Sequence, residues 1–132
     1  MNDTPYALRR TTGLGVDDAV AAVTRALGDH GFGVLTTIDV AATLRAKLGV
    51  DVPANVILGA CNPGLAHRGV ELEPDLGVLL PCNVVVRDDG GRTVVSAMDP
   101  LAALGLAGNP GLRPLADEAR TLLERALAAL EA

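Results

Sequence analysis

Leu76-Gly77-Val78-Leu79-Leu80-Pro81-Cys82-Asn83-Val84-Val85-Val86-Arg87 runs into Asp88-Asp89-Gly90-Gly91, and then into Thr93-Val94-Val95-Ser96-Ala97-Met98. Two apolar runs rich in β-branched residues flank acidic residues and paired glycines. Glycine supplies the positive φ that tight hairpin turns demand, so this is the clearest hairpin in the chain. Its strands are expected over residues 76–87 and 93–98. Pro81 has no N–H to give a ladder, so it marks an edge or a bulge beside Cys82.

Working outward, residues 55–61 read as a strand that meets Asn62-Pro63, a helix entrance. Asparagine caps there, and proline at the first helical position loses no needed N–H. The helix through His67 is expected to be short, because Gly69 weakens it and Pro74 ends any continuation. Further upstream, residues 6–12 form a strand ending in the turn Gly13-Leu14-Gly15. Val16, Val20, Val23 and Leu27 then recur at helical spacing, with Asp17 and Asp18 suited to the positive end of the dipole. His30-Gly31 closes that helix, with glycine as the left-handed cap. Phe32, Val34, Thr36 and Ile38 alternate as a strand. Asp39 caps a second helix that carries Val40, Leu44 and Leu48 on one stripe and stops at Gly49.

Downstream of the hairpin, Asp99-Pro100 begins a short helix and Asn109-Pro110-Gly111 leads to the last one. There Leu115, Ala119, Leu122, Ala126 and Ala129 form a stripe, widened by Leu123, Leu127 and Leu130. So broad an apolar face is expected to bury against a sheet. Strands outnumber long helices, which fits an α+β layer of sheet and helices better than a doubly wound sheet. At 132 residues, the whole chain, 1–132, is expected to be a single domain.

Composition removes several function classes. Hydrophobic residues make up 49% but aromatics only 2%, so the core must be aliphatic and no platform exists for stacking on bases. A net charge of −5 opposes attraction to phosphate backbones and anionic lipid. These point away from nucleic-acid and membrane partners. The most apolar stretch is only about one strand long, and the first residues carry no basic region followed by an apolar run. The expected setting is the cytoplasm, where thiols stay reduced.

Elimination narrows the chemistry. Ser96 is the only serine and lies within a strand with no nucleophile elbow around it. Lys47 is the only lysine and sits near a helix end close to Arg45, which removes the usual residue for Schiff-base and phosphate chemistry. Gly13-Leu14-Gly15 lacks the third glycine of a dinucleotide fingerprint, and two acids crowd the helix that follows. Glu71, Glu73 and Asp75 have no calcium-loop spacing and read as a solvated loop. His30 reads as a helix cap.

Cys61, His67 and Cys82 remain. Cys61 directly precedes a capped helix start, where free N–H groups can stabilise a thiolate. Cys82 joins it if the two strands are neighbours. With His67, three soft or borderline donors and an open position would suit zinc or copper. Were the two thiols to oxidise together, closing the loop would be worth roughly 3 kcal/mol in the entropic model. Asn62 is accounted for by capping. Asn83, inside an apolar strand, needs either backbone partners or a bound ligand.

The strand from Gly31-Phe32-Gly33-Val34 to Asp39, the Asn62-Pro63 turn, the apolar residues 79–86 and the strand ending in Asp99-Pro100 together resemble the bacterial family called domain of unknown function 302. The resemblance spans nearly the whole chain. It implies an antiparallel sheet packed by helices, TATA-binding-protein-like and of β-α-β(4)-α type, in a homodimer. It implies no settled activity, cofactor or catalytic residue. Relatives carry stretches similar to Cys61-Asn62-Pro63 and Leu80-Pro81-Cys82, which leaves room for a subgroup specialised through Cys61, Cys82 and His67.

Three readings of function follow. The first is a small cytoplasmic binding or sensing domain, taking a soft metal ion or small ligand through Cys61, His67 and Cys82, with Asn62 and Asn83 as ligand contacts. The second is a thiol-dependent redox enzyme with Cys61 as nucleophile, His67 as acid–base partner and Cys82 as resolving thiol. The third is a structural dimer whose thiols are core residues only.

Overall fold

Gly90 and Gly91, at φ +62° and +92°, turn one strand directly into the next, with Asp89 opposite Arg92. This is the expected hairpin, and it forms the middle of the sheet. The computed structural model describes residues 4–132. Met1, Asn2 and Asp3, part of the N-terminal stretch read above, lie outside the described residues. In chain order the elements are β1 (Ala7–Thr12), α1 (Val16–Asp29), β2 (Gly33–Asp39), α2 (Val40–Leu48), β3 (Asn55–Cys61), α3 (Pro63–Leu72), β4 (Cys82–Asp89), β5 (Arg92–Met98), α4 (Pro100–Gly105) and α5 (Arg113–Ala128). With the short helices set aside, the order is β-α-β(4)-α. Among the described residues, no helix is long and apolar enough to cross a membrane.

The five strands lie in the order β1-β5-β4-β3-β2, and every neighbouring pair is antiparallel. β1 and β2, joined through α1, therefore occupy opposite edges. Side chains alternate across the pleat, and one face collects Leu8, Leu58, Val84, Val86, Val95 and Ala97, all buried. Val23 and Leu27 of α1, with Leu123 and Leu127 of α5, complete that core. A smaller cluster of Leu76, Leu104, Leu112, Leu115 and Ala116 lies apart from it. The candidate site borders this second cluster.

Several boundaries differ from expectation for physical reasons. Residues 76–79 form a 3-10 turn rather than strand, and β4 begins only at Cys82. An apolar run of that length fits buried helix and buried strand alike, and Pro81 cannot donate to the ladder. The sheet irregularity lies in β2, between Val34 and Thr36, not at Pro81. Helix α3 runs through Gly69 to Leu72. Gly69 is buried, and a Cβ there would sit 2.6 Å from Leu76 Cδ2, so its role is close packing rather than breaking.

The stripe expected on α2 is hardly covered: no residue of that helix is buried, and Leu48 is exposed. On α5, Leu123, Ala126 and Leu127 are buried as expected and Ala116 joins them. Ala129 lies beyond the helix end and is exposed.

Candidate functional site

β3 and β4 are neighbours, and their register sets Ala60 opposite Cys82. Cys61 is one residue further along, the last of β3. There the chain leaves the ladder for α3: Asn62 Oδ1 accepts the Leu65 N–H at 3.1 Å, and Asn62 O accepts from Ala66 at 2.9 Å. The cap thus ends the strand and starts the helix within two residues. Both cysteines are free thiols.

Cys61 and Cys82 border the same small cavity. Phe32, Leu65, Leu80, Leu104 and Leu115 supply much of its apolar wall. Its volume is about 40 Å³. A water molecule's share of the liquid is about 30 Å³, and pockets for drug-sized ligands run to about 300 Å³ and more. The space therefore suits a few atoms and is far below that of a drug-sized ligand.

Cys82 is buried, at 7% exposure. Its thiol is pushed up to about 11, first by burial and then by the neighbouring Cys61. A thiolate at Cys82 has no water to solvate it and faces a second sulfur, so Cys82 is a neutral thiol at ordinary pH. Cys61 is half-buried and is the more accessible of the two.

His67 is not part of this arrangement. Leu65, Ala66 and Gly69 of α3 face the cavity, and helical spacing turns position 67 the other way. Its side chain is 78% exposed, with Nε2 3.4 Å from Glu71 Oε1. Among the described residues, no group of three or more His, Cys, Asp or Glu side chains is placed to hold a metal ion. The expected three-donor set is thus reduced to the sulfur pair.

The two asparagines also part company. Asn62 borders the cavity, but its oxygen is occupied by the cap. Its amide nitrogen occupies space beside Gly31, where a Cβ would sit 2.9 Å from it. Asn83 is exposed on the opposite side of the sheet, in an open groove with Tyr6, Val85, Met98 and Leu106. It has neither the bulge nor the buried setting expected of it. His30 caps its helix as read, Nδ1 lying 2.7 Å from Ala26 O.

The family model described as Domain of unknown function DUF302 matches residues 8–130. The chain belongs to the DUF302 family. It is also similar to the crystal structure of an uncharacterized conserved DUF302 protein from Bacillus stearothermophilus, with a TM-score of 0.88 and 28% sequence identity. That match covers 95% of this chain and 98% of the other. No curated protein matches.

On this DUF302 scaffold the sequence reading found both thiols but not the cavity wall. Leu80, Leu104, Leu115 and Ala119 come from three separate segments. Their only signal was apolarity at helical spacing, which does not distinguish a wall from a core.

Proposed function

We propose that this DUF302 chain is a binding domain for a single soft monovalent metal ion of the Cu(I) class, held between the sulfurs of Cys61 and Cys82. What carries the reading is that both thiols border one apolar cavity too small for a drug-sized organic ligand. Two sulfur donors suit a soft ion of low coordination number, whereas a structural zinc site wants four ligands. The Cys61 sulfur raises the cost of charging Cys82, and a cation between them reverses that repulsion. Binding therefore displaces thiol protons and tightens as pH rises. The N-terminus of α3, which begins at Pro63, adds a favourable dipole beside Cys61.

A binding role is favoured over thiol catalysis because the site holds no acid–base partner. His67 faces solvent, and the buried Cys82 keeps its proton. The cytoplasmic setting belongs to the same proposal, since a reducing compartment keeps the pair available. So does the homodimer. Ile57, Val85 and Met98, half-buried on the sheet face turned away from the core, are the surface a second copy would cover, which sedimentation equilibrium would reveal as twice the chain mass.

The site is tested by anaerobic titration of the reduced full chain with Cu(I), in competition with a chromophoric chelator. One ion per chain is expected, with Cys61→Ser and Cys82→Ser each weakening binding at least about 100-fold and His67→Ala leaving it unchanged. A chain that takes no copper from the chelator, or serine variants that bind as the parent does, would end the proposal.

A further inference from the structure

We infer that Cys61 and Cys82 also close into a reversible disulfide when the chain meets a disulfide oxidant such as oxidised glutathione, and that this bond shuts the metal site; the second clause rests on the function proposed above. Register sets the distance. Residues directly opposite in an antiparallel pair have Cα atoms about 4.5–5.5 Å apart, and Cys61 is one step of about 3.4 Å past the residue opposite Cys82. The diagonal is about 6 Å, inside the roughly 4.4–6.8 Å window of protein disulfides. Alternation within a continuous strand would send the two side chains to opposite faces. Cys61 is the last residue of β3, still paired with Gly33, and the chain turns into α3 directly after it. Both residues border the same cavity, so the bond closes with a small backbone movement at this strand end.

Exposure assigns the roles. The half-buried Cys61 is the thiol an oxidant can reach, and the buried Cys82 is shielded from it. Cys61, as thiolate, attacks one sulfur of oxidised glutathione; an S–S bond forms, the glutathione S–S bond breaks, and glutathione leaves as thiolate. Cys82, on losing its proton, then attacks the Cys61 sulfur and expels the second glutathione. The protein loses two electrons and two protons, and oxidised glutathione gains them as two thiols.

The test treats the reduced full chain anaerobically with oxidised glutathione, quenches it in acid, and reads intact mass and a tryptic map. Cleavage after Arg68 separates the two cysteines, so the bond would join peptides 48–68 and 69–87. Expected are a loss of two hydrogens, that joined peptide pair, its release by dithiothreitol, and Cu(I) uptake lost on oxidation and regained on reduction. Cys82→Ser should instead hold glutathione on Cys61. A parent chain that keeps glutathione on Cys61 indefinitely, or keeps two alkylatable thiols, overturns the inference. Failure of the reduced chain to bind Cu(I) would remove the proposed function, while the joined peptides would still decide the disulfide.

Discussion

The chain writes Cys-Asn twice, and the fold treats the two pairs in opposite ways. At Cys61-Asn62 the strand ends and a helix begins, so the asparagine turns back to cap α3 and its cysteine is left half-buried beside the cavity. At Cys82-Asn83 the strand begins, and alternation sends the cysteine inward and the asparagine out. Identical dipeptides thus give one accessible thiol and one buried thiol, one occupied amide and one free for solvent. Position relative to the end of a strand, not residue type, makes the pair unequal, and an unequal pair is what the proposed site uses.

The largest expected effect contrasts the inward and outward members of the second pair. Cys82→Ser should lower Cu(I) affinity at least about 100-fold, a loss near 3 kcal/mol, while Asn83→Ala should leave it within a factor of two in the same competition assay. Equal losses at both positions would break the comparison.

The next concerns protonation. Because Cys82 holds its proton up to about 11 in the fold, against an ordinary 9.0, the folded state binds more protons than the unfolded one in that interval. Stability from this group is therefore full below pH 9 and is lost as pH rises toward 11, by roughly 2–3 kcal/mol at most. Urea denaturation of the parent and Cys82→Ala at pH 8 and pH 10.5 should show the steeper decline in the parent. Matching slopes would place Cys82 in a wetter setting than its burial indicates.

Opposite Asn83 stands Gly59, where an added Cβ would meet Thr36 Oγ1 and lie 2.9 Å from Pro81 Cγ. Gly59→Ala is expected to cost about 2 kcal/mol through overpacking, read as a lower urea midpoint. The asparagines themselves give the smallest contrast. Asn62→Ala removes a cap and should cost about 1 kcal/mol, whereas Asn83→Ala should stay within about 0.5 kcal/mol. Comparable costs would mean that Asn83 has a structural role its exposure does not suggest.

Local signals were legible where one short-range interaction decides the structure. Asn62-Pro63 marked the end of β3 and the start of α3, Gly90-Gly91 marked the hairpin, and Asp39 marked the start of α2, where its Oδ1 accepts the Ala42 N–H at 2.8 Å. Apolarity alone misled at residues 76–79, because a buried 3-10 turn and a buried strand draw on the same residues. The site was half legible. Rarity points to Cys61 and Cys82, and the pairing of β3 with β4 brings their strand ends together. His67 was misplaced because spacing from Cys61 does not say which face of α3 turns inward. Leu65, Ala66 and Gly69 claim that face by packing, Gly69 against Leu76 most tightly. Asn83 lies in an apolar run, which does not say which of its faces is covered; only the face with Val84 and Val86 is buried.

X-ray absorption at the copper edge, on reduced chain loaded with one equivalent of Cu(I), tests the central claim most directly. The account predicts a shell of two sulfur ligands and no nitrogen, unchanged in His67→Ala and lost in Cys82→Ser. A shell containing histidine nitrogen, or two sulfurs that persist without Cys82, would contradict it.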